Sequence, residues 1–355
     1  MKICFILPQI LRKPVGGYKI VYEYANRLSD KGHKVDILFL NENALCRFRF
    51  PQFVKKYLIF LLTKTEPGWF RLNLNIKKWS STENKLEKKL SDTDLAIATG
   101  ADTVEFTLRF FRFSKKAYLI QDYESWISDE KTLHETYASG MDNIVISNWL
   151  KKIVDQYSKK EALLIRNPID VNRYKAIVAV EERDACTIGV LYHTAEHKGF
   201  KDAYKAIFRL KGLFPDLKVN MFGTLKPTNK LPDWIDFKLN ATQAETVSIY
   251  NKISVFLCAT VKEGYGLTGL EAMACGAVLV STEYEGVREY AVNGYNALLS
   301  PVHDVDFLVK NVSELILNET KRFELAKNGI DSVKRLSWES AMELFDQYLE
   351  TVKAG

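Results

Sequence analysis

The sequence predicts an α/β protein of two domains, each built around a parallel β-sheet. Three observations predict this class. The chain of 355 residues exceeds what one hydrophobic core comfortably holds. Short apolar runs alternate with longer segments of helical spacing, as in parallel sheets covered by helices on both faces. This alternation occurs in each half of the chain, which predicts one sheet per half.

The predicted strands are the short apolar runs, and polar residues follow each of them. In the first half they are residues 3–7, 35–40, 95–98, 118–120, 144–146 and a run that ends at 165. In the second half they are residues 187–192, 218–222, 255–259 and 277–280. Helical spacing predicts helices at residues 18–31, 200–213 and 242–252. Open parallel sheets bind ligands beyond the carboxyl ends of their strands, so the polar residues there are candidate ligand contacts.

The break between the domains is predicted at Pro168, because a proline cannot continue the ladder of the strand that ends at Ile165. The first domain is then residues 1–167 and the second residues 168–337. A last helix is predicted for residues 338–355. Two such domains whose strand ends face each other are expected to form one interdomain cleft.

The cysteines and the apolar runs exclude several classes of protein. Five cysteines, at positions 4, 46, 186, 258 and 275, include no C-x-x-C pair, which argues against a disulfide framework or a zinc ribbon. A reducing cytoplasm fits this content. The first apolar run is too short for a secretory signal. No run approaches the ~20 residues of a spanning helix, so no membrane crossing is predicted.

The net charge of +6 suits an anionic partner, and the cations are unevenly placed. Segment 47–64 reads RFRFPQFVKKYLIFLLTK and segment 109–116 reads RFFRFSKK. Such segments are typical of peripheral contact with acidic headgroups of the inner membrane, or with a lipid-linked acceptor. They are equally typical of helices that bury their aromatic residues and solvate their cations. Nucleic-acid binding is not predicted, because the charge is modest and no nucleic-acid module is recognisable.

The most informative motif is EGYGLTGLEAMACG at residues 263–276, which lies between two apolar runs. A helix that begins near Leu267 or Thr268 directs its free amide groups beyond the preceding strand, where a phosphate is favoured. Phosphate would repel Glu263 on the loop and Glu271 one turn into the helix. They fit instead as acceptors for neutral hydroxyl groups on either side of it. Hydroxyls flanking a diphosphate are the profile of a nucleotide sugar.

The same stretch also contains a dinucleotide-binding pattern. Gly264, Gly266 and Gly269 form G-x-G-x-x-G, with Glu283 about twenty residues further on. A nicotinamide-dependent oxidoreductase would use these residues for its cofactor. Residues 261–263 separate the first glycine from the strand, however, and the motif lies deep in the chain, which favours the nucleotide sugar. A non-catalytic sugar-binding protein would share the same features.

Other candidate ligand contacts follow further strands. Gly16 and Gly17 come after the first strand, where paired glycines let the backbone approach a phosphate closely. Lys198, just before the helix at residues 200–213, fits as a cation beside a diphosphate. His193 and Gly223 follow two strands of the second half. All of these positions are predicted to lie at carboxyl ends of strands.

Two motifs match metal-binding patterns in an unsuitable context. The residues from His193 to His197 match H-x-x-E-H, which needs both histidines on one face of a stable helix. This segment leaves a strand and soon meets Gly199 instead. Asp92-Thr93-Asp94 precedes a strand and is interpreted as a solvated turn. The sequence therefore predicts no essential metal and no cofactor.

Taken together, the motifs resemble glycosyltransferase family 4, whose GT-B fold has two Rossmann-like domains facing an interdomain cleft. The resemblance covers nearly the whole chain and implies that the first domain binds an acceptor and the second a nucleotide sugar. It rests on residues 263–276, Lys198-Gly199, residues 167–170, Gly16-Gly17, EGVREY at 285–290 and Asn293-Gly294. It implies that the last helix crosses back onto the first domain.

The resemblance also assigns roles at the donor site. Glu263 would contact hydroxyls of the transferred sugar, amides around Gly266 and Leu267 the diphosphate, and Glu271 the ribose. The remaining candidate donor contacts are Gly16, Gly17, His193, Lys198, Gly223, Gly264, Tyr265 and Thr268. The family's usual arginine before the lysine is missing, with Tyr192 and His193 in that neighbourhood, so diphosphate binding would depend on Lys198 and helix amides.

The first domain departs from the family at residues 118–126, YLIQDYESW, where many relatives have a histidine after the fourth strand. The Q-D-Y-E pattern is similar to a branch that contains bacterial rhamnosyltransferases of surface polysaccharide synthesis. Gln121, Asp122 and Glu124 are the acceptor-binding candidates, and Asp122 joins Glu263 and Lys198 as a catalytic candidate. Asp122 or Glu124 could instead cap a helix or pair with a nearby cation.

The predicted activity is a retaining, metal-independent transfer of a sugar from a nucleoside diphosphate to a hydroxyl of a saccharide or lipid-linked saccharide. A UDP-hexose and dTDP-rhamnose are the candidate donors. The leaving phosphate, stabilised by Lys198 and helix amides, can itself accept the proton of the attacking hydroxyl, so no dedicated base is needed.

Overall fold

The computed structural model describes residues 1–41, 44–45 and 49–354 and divides the chain into two compact units. The first unit is Met1–Ile165 together with the chain from Gln347 onward, and the second is Arg166–Asp346. Helix α12 (Trp338–Ala354) begins in the second unit and ends in the first. Cys46, Arg47 and Phe48 lie outside the described residues, and with them the start of the first basic and aromatic segment.

The first unit contains a parallel sheet of seven strands in the order β3-β2-β1-β4-β5-β6-β7. Its strands are β1 (Lys2–Leu7), β2 (Lys34–Phe39), β3 (Lys77–Ser80), β4 (Leu95–Ala98), β5 (Lys115–Ile120), β6 (Asp142–Val145) and β7 (Leu163–Leu164). Its helices are α1 (Gly16–Asp30), α2 (Gln52–Thr65), α3 (Leu86–Leu90), α4 (Ala101–Phe110), α5 (Glu130–Tyr137) and α6 (Asn148–Tyr157). The central strands are almost wholly buried, as expected for a parallel sheet covered on both faces.

The second unit contains a parallel sheet of six strands in the order β10-β9-β8-β11-β12-β13. Its strands are β8 (Thr187–Tyr192), β9 (Lys218–Gly223), β10 (Ile235–Leu239), β11 (Val255–Cys258), β12 (Val278–Thr282) and β13 (Ala297–Ser300). Its helices are α7 (Phe200–Leu213), α8 (Gln243–Lys252), α9 (Leu267–Ala274), α10 (Val305–Leu317) and α11 (Glu319–Lys334). Its hydrophobic core contains buried residues of all six strands and of α7, α10 and α11.

The predicted fold class is confirmed, and the strands that the sequence did not predict are edge strands. β3 reads KKWS and contains no apolar run, while β10 reads IDFKL and alternates apolar with polar residues. β13 is buried but only four residues long. β5 begins at Lys115, earlier than predicted, because Lys115 already pairs with Leu95 of β4. Continuous apolar runs mark strands buried between two neighbours, so they identify the centre of a sheet better than its edges.

Candidate functional site

The N-terminus of α9 is the centre of the candidate site in the second unit. The helix begins at Leu267, with Gly266 as its N-cap, and of the side chains that the structure describes, none caps it. Gly266 has φ 93°, and a Cβ there would lie 1.9 Å from the Tyr284 hydroxyl oxygen, so this position requires glycine. The predicted start of the helix is thus reproduced, and its first amide groups point beyond β11 with their partial positive charge.

Two buried tyrosines hold Gly266 in place. The Tyr290 hydroxyl donates to the Gly266 carbonyl oxygen at 2.7 Å, and the Tyr284 hydroxyl lies 3.2 Å from that of Tyr290. Gly286 lets their segment approach closely, because a Cβ on it would lie 2.5 Å from the Glu263 carbonyl oxygen. This segment is part of the resemblance to glycosyltransferase family 4, but the sequence predicts no role for the tyrosines, since spacing alone does not show which buried hydroxyl meets which carbonyl.

Lys198 and Glu263 form an ion pair beside this helix terminus. Lys198 Nζ lies 2.5 Å from Glu263 Oε1, and the two side chains are 19% and 23% exposed. The loops that carry them are joined where the Val261 amide donates to the His197 carbonyl oxygen at 2.7 Å. Gly199, at φ 62°, allows this approach, because a Cβ on it would lie 1.7 Å from a carbonyl oxygen just beyond β11. The sequence predicts a diphosphate as the partner of Lys198 and sugar hydroxyls as the partners of Glu263, whereas the structure pairs the two side chains with each other.

His193 lies in the same loop, half-buried, with its ring oriented by the backbone. Its Nδ1 accepts a hydrogen bond from the Ala195 amide at 3.0 Å. Burial, and next the charge of Lys198, lower the pKa of His193. The ring is therefore neutral near pH 7 with its proton on Nε2, which makes it a hydrogen-bond donor at this edge of the sheet.

Glu271, the second acidic residue of the motif, faces mainly inward. It is 9% exposed, and its Oε2 accepts a hydrogen bond from the Tyr250 hydroxyl at 3.3 Å. Burial raises the pKa of Tyr250 well above its usual value, so this phenol remains a donor. The contact of Glu271 with a ribose stays a prediction, and its contact with Tyr250 is not predicted by the sequence.

The structure weakens the dinucleotide interpretation of the glycine triplet. β11 ends at Cys258, so residues 259–263 separate the strand from Gly264. Gly269 lies inside α9, where a Cβ would be 2.7 Å from the Tyr290 hydroxyl oxygen, so packing explains this glycine. Glu283 pairs with Arg288 at 3.3 Å. Gly223 is also explained by packing, since a Cβ there would meet a carbonyl oxygen of β8 at 2.6 Å.

In the first unit, Gly17 and Gln121 lie together. Helix α1 begins at Gly16, and its N-cap residue, Val15, makes no side-chain capping bond. An added Cβ on Gly17 would lie 3.3 Å from Gln121 Nε2, so the Gln121 amide rests against the glycine backbone. Gln121 Oε1 is buried, and no residue within the described part of the chain gives it a hydrogen bond. Two loops that the sequence analysis selected separately are therefore neighbours.

Glu124, one of the acceptor candidates, contacts the N-terminus of α4. Its Oε2 accepts hydrogen bonds from the Ala101 amide at 2.6 Å and from the Tyr118 hydroxyl at 3.2 Å. Burial raises the pKa of Glu124 to about 7. Asp122 accepts a hydrogen bond from the Tyr123 amide at 2.8 Å. Glu124 thus caps a helix terminus, the alternative that the sequence left open. Its contact with an acceptor stays a prediction, as do those of Gln121 and Asp122.

The two metal-like motifs are engaged in other contacts. Asp92 Oδ1 lies 2.5 Å from Lys2 Nζ, and Asp94 Oδ2 accepts from the Lys2 amide at 2.7 Å, which ties together the amino ends of β1 and β4. Glu196 of H-x-x-E-H pairs with Lys201 at 3.6 Å. Over residues 1–41, 44–45 and 49–354, no group of three or more His, Cys, Asp or Glu side chains is placed to hold a metal ion.

Comparison with known protein families and structures supports the glycosyltransferase superfamily. Residues 173–332 match the family model described as Glycosyl transferases group 1. Among solved structures, a sucrose-phosphate synthase from Thermosynechococcus elongatus has a TM-score of 0.77 at 15% identity, with 100% of both chains covered. Anabaena HepE in complex with UDP and glucose has a TM-score of 0.75 at 15% identity, again over 100% of both chains. These likenesses establish the GT-B fold of the chain.

Curated relatives match part of the chain. An uncharacterized glycosyltransferase of Methanocaldococcus jannaschii is 26% identical over 56% of this chain and 56% of its own. The N,N'-diacetylbacillosaminyl-diphospho-undecaprenol alpha-1,3-N-acetylgalactosaminyltransferase of Campylobacter jejuni is 26% identical over 44% and 43%. The capsular polysaccharide biosynthesis glycosyltransferase CapM of Staphylococcus aureus is 22% identical over 47% of each. The chain thus spans about half the length of the curated relatives it matches.

Proposed function

We propose that this protein is a retaining, metal-independent glycosyltransferase of family 4 that transfers a sugar from a nucleoside diphosphate to a hydroxyl of a saccharide. The observation that carries this proposal is the N-terminus of α9, with no capping side chain among the described residues, beside the ion pair of Lys198 and Glu263. All of these residues lie within the part of the chain that matches the glycosyltransferase model.

The ion pair suggests how donor binding is arranged. Before the donor binds, Lys198 neutralises the charge of Glu263. The Glu263 carboxylate therefore does not repel the diphosphate that approaches the neighbouring α9 amides. A diphosphate that reaches the amides of α9 attracts the Lys198 ammonium more strongly than one carboxylate does, because it carries more charge. Lys198 then moves to the phosphate, and Glu263 becomes free to accept hydrogen bonds from hydroxyls of the sugar. A change of partner by Lys198 would thus position both the diphosphate and the sugar of the donor.

Sugar transfer then follows from the same groups. The bond from the anomeric carbon to the phosphate oxygen breaks, and the acceptor hydroxyl oxygen bonds to that carbon on the same face. The proton of this hydroxyl passes to the departing phosphate oxygen, whose charge Lys198 and the α9 amides stabilise. His193 adds a neutral Nε2–H donor from the neighbouring loop. These groups supply the positive charge that a divalent cation would otherwise provide.

The names of the relatives support a saccharide or lipid-linked saccharide of bacterial surface polysaccharide synthesis as the acceptor. The Campylobacter jejuni relative is named for an acceptor on diphospho-undecaprenol, and the Staphylococcus aureus relative for capsular polysaccharide. A UDP-hexose is the first donor to test, since Anabaena HepE is similar in fold and was solved with UDP and glucose. dTDP-rhamnose is the second, on the Q-D-Y-E likeness at residues 121–124. We propose Gln121 and Asp122 as acceptor contacts.

A panel of nucleoside diphosphates and their sugars, read by thermal shift and then by transfer assay, tests the proposal. A ligand at 100 times its Kd stabilises a protein by about 2.7 kcal/mol, so the correct donor should raise Tm measurably. Transfer should proceed in the presence of EDTA and keep the anomeric configuration of the donor. A panel without any selective rise in Tm would refute the proposal. A selective rise with hydrolysis and transfer absent for every acceptor would favour the non-catalytic sugar-binding alternative.

A further inference from the structure

Helix α2 in the first unit has an exposed face that is both aromatic and cationic. Phe53 is 75% exposed, Tyr57 62% and Phe60 41%. These rings follow one another at spacings of four and three residues, so they lie on one side of the helix. Lys56 and Lys64 share this spacing and are also exposed. We call these five residues the α2 outer face.

The opposite side of α2 packs against the first unit, so the outer face is not simply a misplaced core. Ile59 is 3% exposed, and Thr63, which is fully buried, donates its hydroxyl proton to the Ile59 carbonyl oxygen at 2.8 Å. The Lys64 ammonium lies 5.2 Å from the ring centre of Trp79 in β3, which places it at the margin between the two sides. Helix α2 therefore carries apolar side chains on two opposite sides. Packing within the first unit explains the side of Ile59, and it does not explain the outer face.

The charge of this region has one sign. From Arg49 to Thr65 the chain contains Arg49, Lys55, Lys56 and Lys64 and no Asp or Glu. The outward side of α4 provides a contrast, because there Arg109 is exposed but lies 3.3 Å from Glu105 on the same helix. A surface helix that only faces water ordinarily mixes both signs and exposes few aromatic rings. A cluster of exposed rings with cations and no carboxylates instead fits a surface that is apolar below and anionic above.

We propose that the α2 outer face docks the protein on the surface of an anionic lipid bilayer. The rings of Phe53, Tyr57 and Phe60 would enter the boundary between headgroups and acyl chains, while the lysines would keep their ammonium groups at the phosphates. Helix α2 has 14 residues, which is enough to lie in that boundary. In the part of the chain that the structure describes, no helix is long and apolar enough to cross a membrane. This inference specifies where the predicted membrane contact lies and goes beyond the proposed transfer reaction.

Co-sedimentation of the full chain with lipid vesicles tests the proposal. One vesicle preparation contains phosphatidylcholine alone, and the other contains about one third phosphatidylglycerol. We expect binding to the anionic vesicles, weakened when salt is raised from about 0.1 M to about 0.5 M. Phe53→Gln with Tyr57→Gln should lower the partition coefficient about ten-fold or more, since these exposed rings supply the apolar contact. Lys56→Gln with Lys64→Gln should lower it about thirty-fold, since each lysine near the surface contributes about 1 kcal/mol.

Matched controls separate the α2 outer face from general charge and hydrophobicity. Lys152→Gln with Lys159→Gln removes the same charge from exposed positions outside α2, and should change the partition coefficient less than two-fold. Leu213→Gln with Tyr295→Gln removes two exposed apolar side chains of the second unit and should also have little effect. Donor binding by thermal shift should be unchanged in all four variants, so this test is independent of the proposed transfer.

Three outcomes would overturn the proposal. The first is an absence of binding of the parent chain to anionic vesicles. The second is equal loss of binding in the α2 variants and their controls. The third is a parent chain that forms a dimer which the Phe53 and Tyr57 substitutions convert to a monomer, because the face would then join two copies of the chain.

Discussion

Helices α4 and α9 both follow a strand of a parallel sheet and both begin at a glycine N-cap, yet their N-termini are completed differently. At α4, the Glu124 carboxylate accepts a hydrogen bond from the Ala101 amide at 2.6 Å. At α9, the nearby carboxylate of Glu263 is held by Lys198 instead. The protein thus has a way to satisfy a helix terminus with a buried carboxylate and uses it at α4 but not at α9. On our proposal, this difference leaves the first amide groups of α9 available to the diphosphate of the donor.

Replacing Lys198 by Ala tests the α9 side of this comparison and should have the largest effect. The substitution removes the cation that we assign to the diphosphate, and kcat/KM for the transfer should fall by about 10²- to 10³-fold. Lys201→Ala is the matched control, since Lys201 is in the same segment but highly exposed and paired with Glu196. Equal activity of the two variants in steady-state kinetics would show that Lys198 does not contribute to donor binding or transfer.

The backbone geometry of the α9 terminus can be tested with Gly266→Ala. Its positive φ and the collision with the Tyr284 hydroxyl should together cost about 3 kcal/mol of unfolding free energy and abolish donor binding. Gly294→Ala is the control, because Gly294 also has positive φ, at 77°, but an added Cβ there meets no atom within 4 Å. Urea unfolding should give a cost of about 1 kcal/mol for this control. Similar costs for both would mean that the contact with Tyr284 is unimportant.

The α4 side of the comparison predicts a dependence of stability on pH. Burial raises the pKa of Glu124 from 4.5 to about 7, so the folded state holds this proton more tightly than the unfolded state. The stability that results is complete below pH 4.5 and is lost as the pH rises through 7. The shift corresponds to about 3 kcal/mol. Glu124→Gln keeps an acceptor for the Ala101 amide and should remove this loss.

Urea unfolding of the parent and of Glu124→Gln at about pH 5 and about pH 8 makes the measurement. The variant should gain stability relative to the parent as the pH rises. A difference that does not change with pH would show that Glu124 is ionised throughout, and the two helix termini would then differ less than we infer.

Tyr290→Phe should produce the smallest effect and would sharpen the account of α9. It removes the hydrogen bond to the Gly266 carbonyl oxygen, which should cost about 1 kcal/mol of stability and weaken nucleoside diphosphate binding several-fold. Tyr348→Phe is the control, because the Tyr348 hydroxyl bonds to Asp142 at 3.3 Å in the first unit. Calorimetry should show weaker binding for Tyr290→Phe alone. Unchanged binding in both variants would limit Tyr290 to a structural role.

The sequence predicts the features that depend on local pattern. The central strands, the start of α9 at Leu267 and the nearness of Lys198 to the glutamate motif follow from apolar runs, capping glycines and residues placed after strands. It does not predict which side chains contact each other in the folded protein. Glu124 and Glu263 are both acidic residues after a strand, and composition does not show that one carboxylate contacts a helix amide and the other a lysine.

The edges of the sheets and the tyrosines near α9 escape prediction for a related reason. β3 and β10 pair with one neighbour, so they lack the continuous apolar pattern that marks a buried strand. Tyr284 and Tyr290 look like ordinary core aromatics in the sequence. The role of their hydroxyl groups follows from the folded structure, because Gly266 and Gly286 allow the backbone to approach closely enough for contact with them.

Calorimetric titration of the parent and of Glu263→Ala tests the central claim most directly. The titrants are the nucleoside diphosphate selected by the thermal-shift panel and its sugar. If Lys198 leaves Glu263 for the phosphate, the variant should bind the nucleoside diphosphate as tightly as the parent or more tightly, because the competing carboxylate is gone. It should bind the nucleotide sugar about ten-fold more weakly, having lost an acceptor for the sugar hydroxyls. Equal changes in affinity for the two ligands would contradict the account.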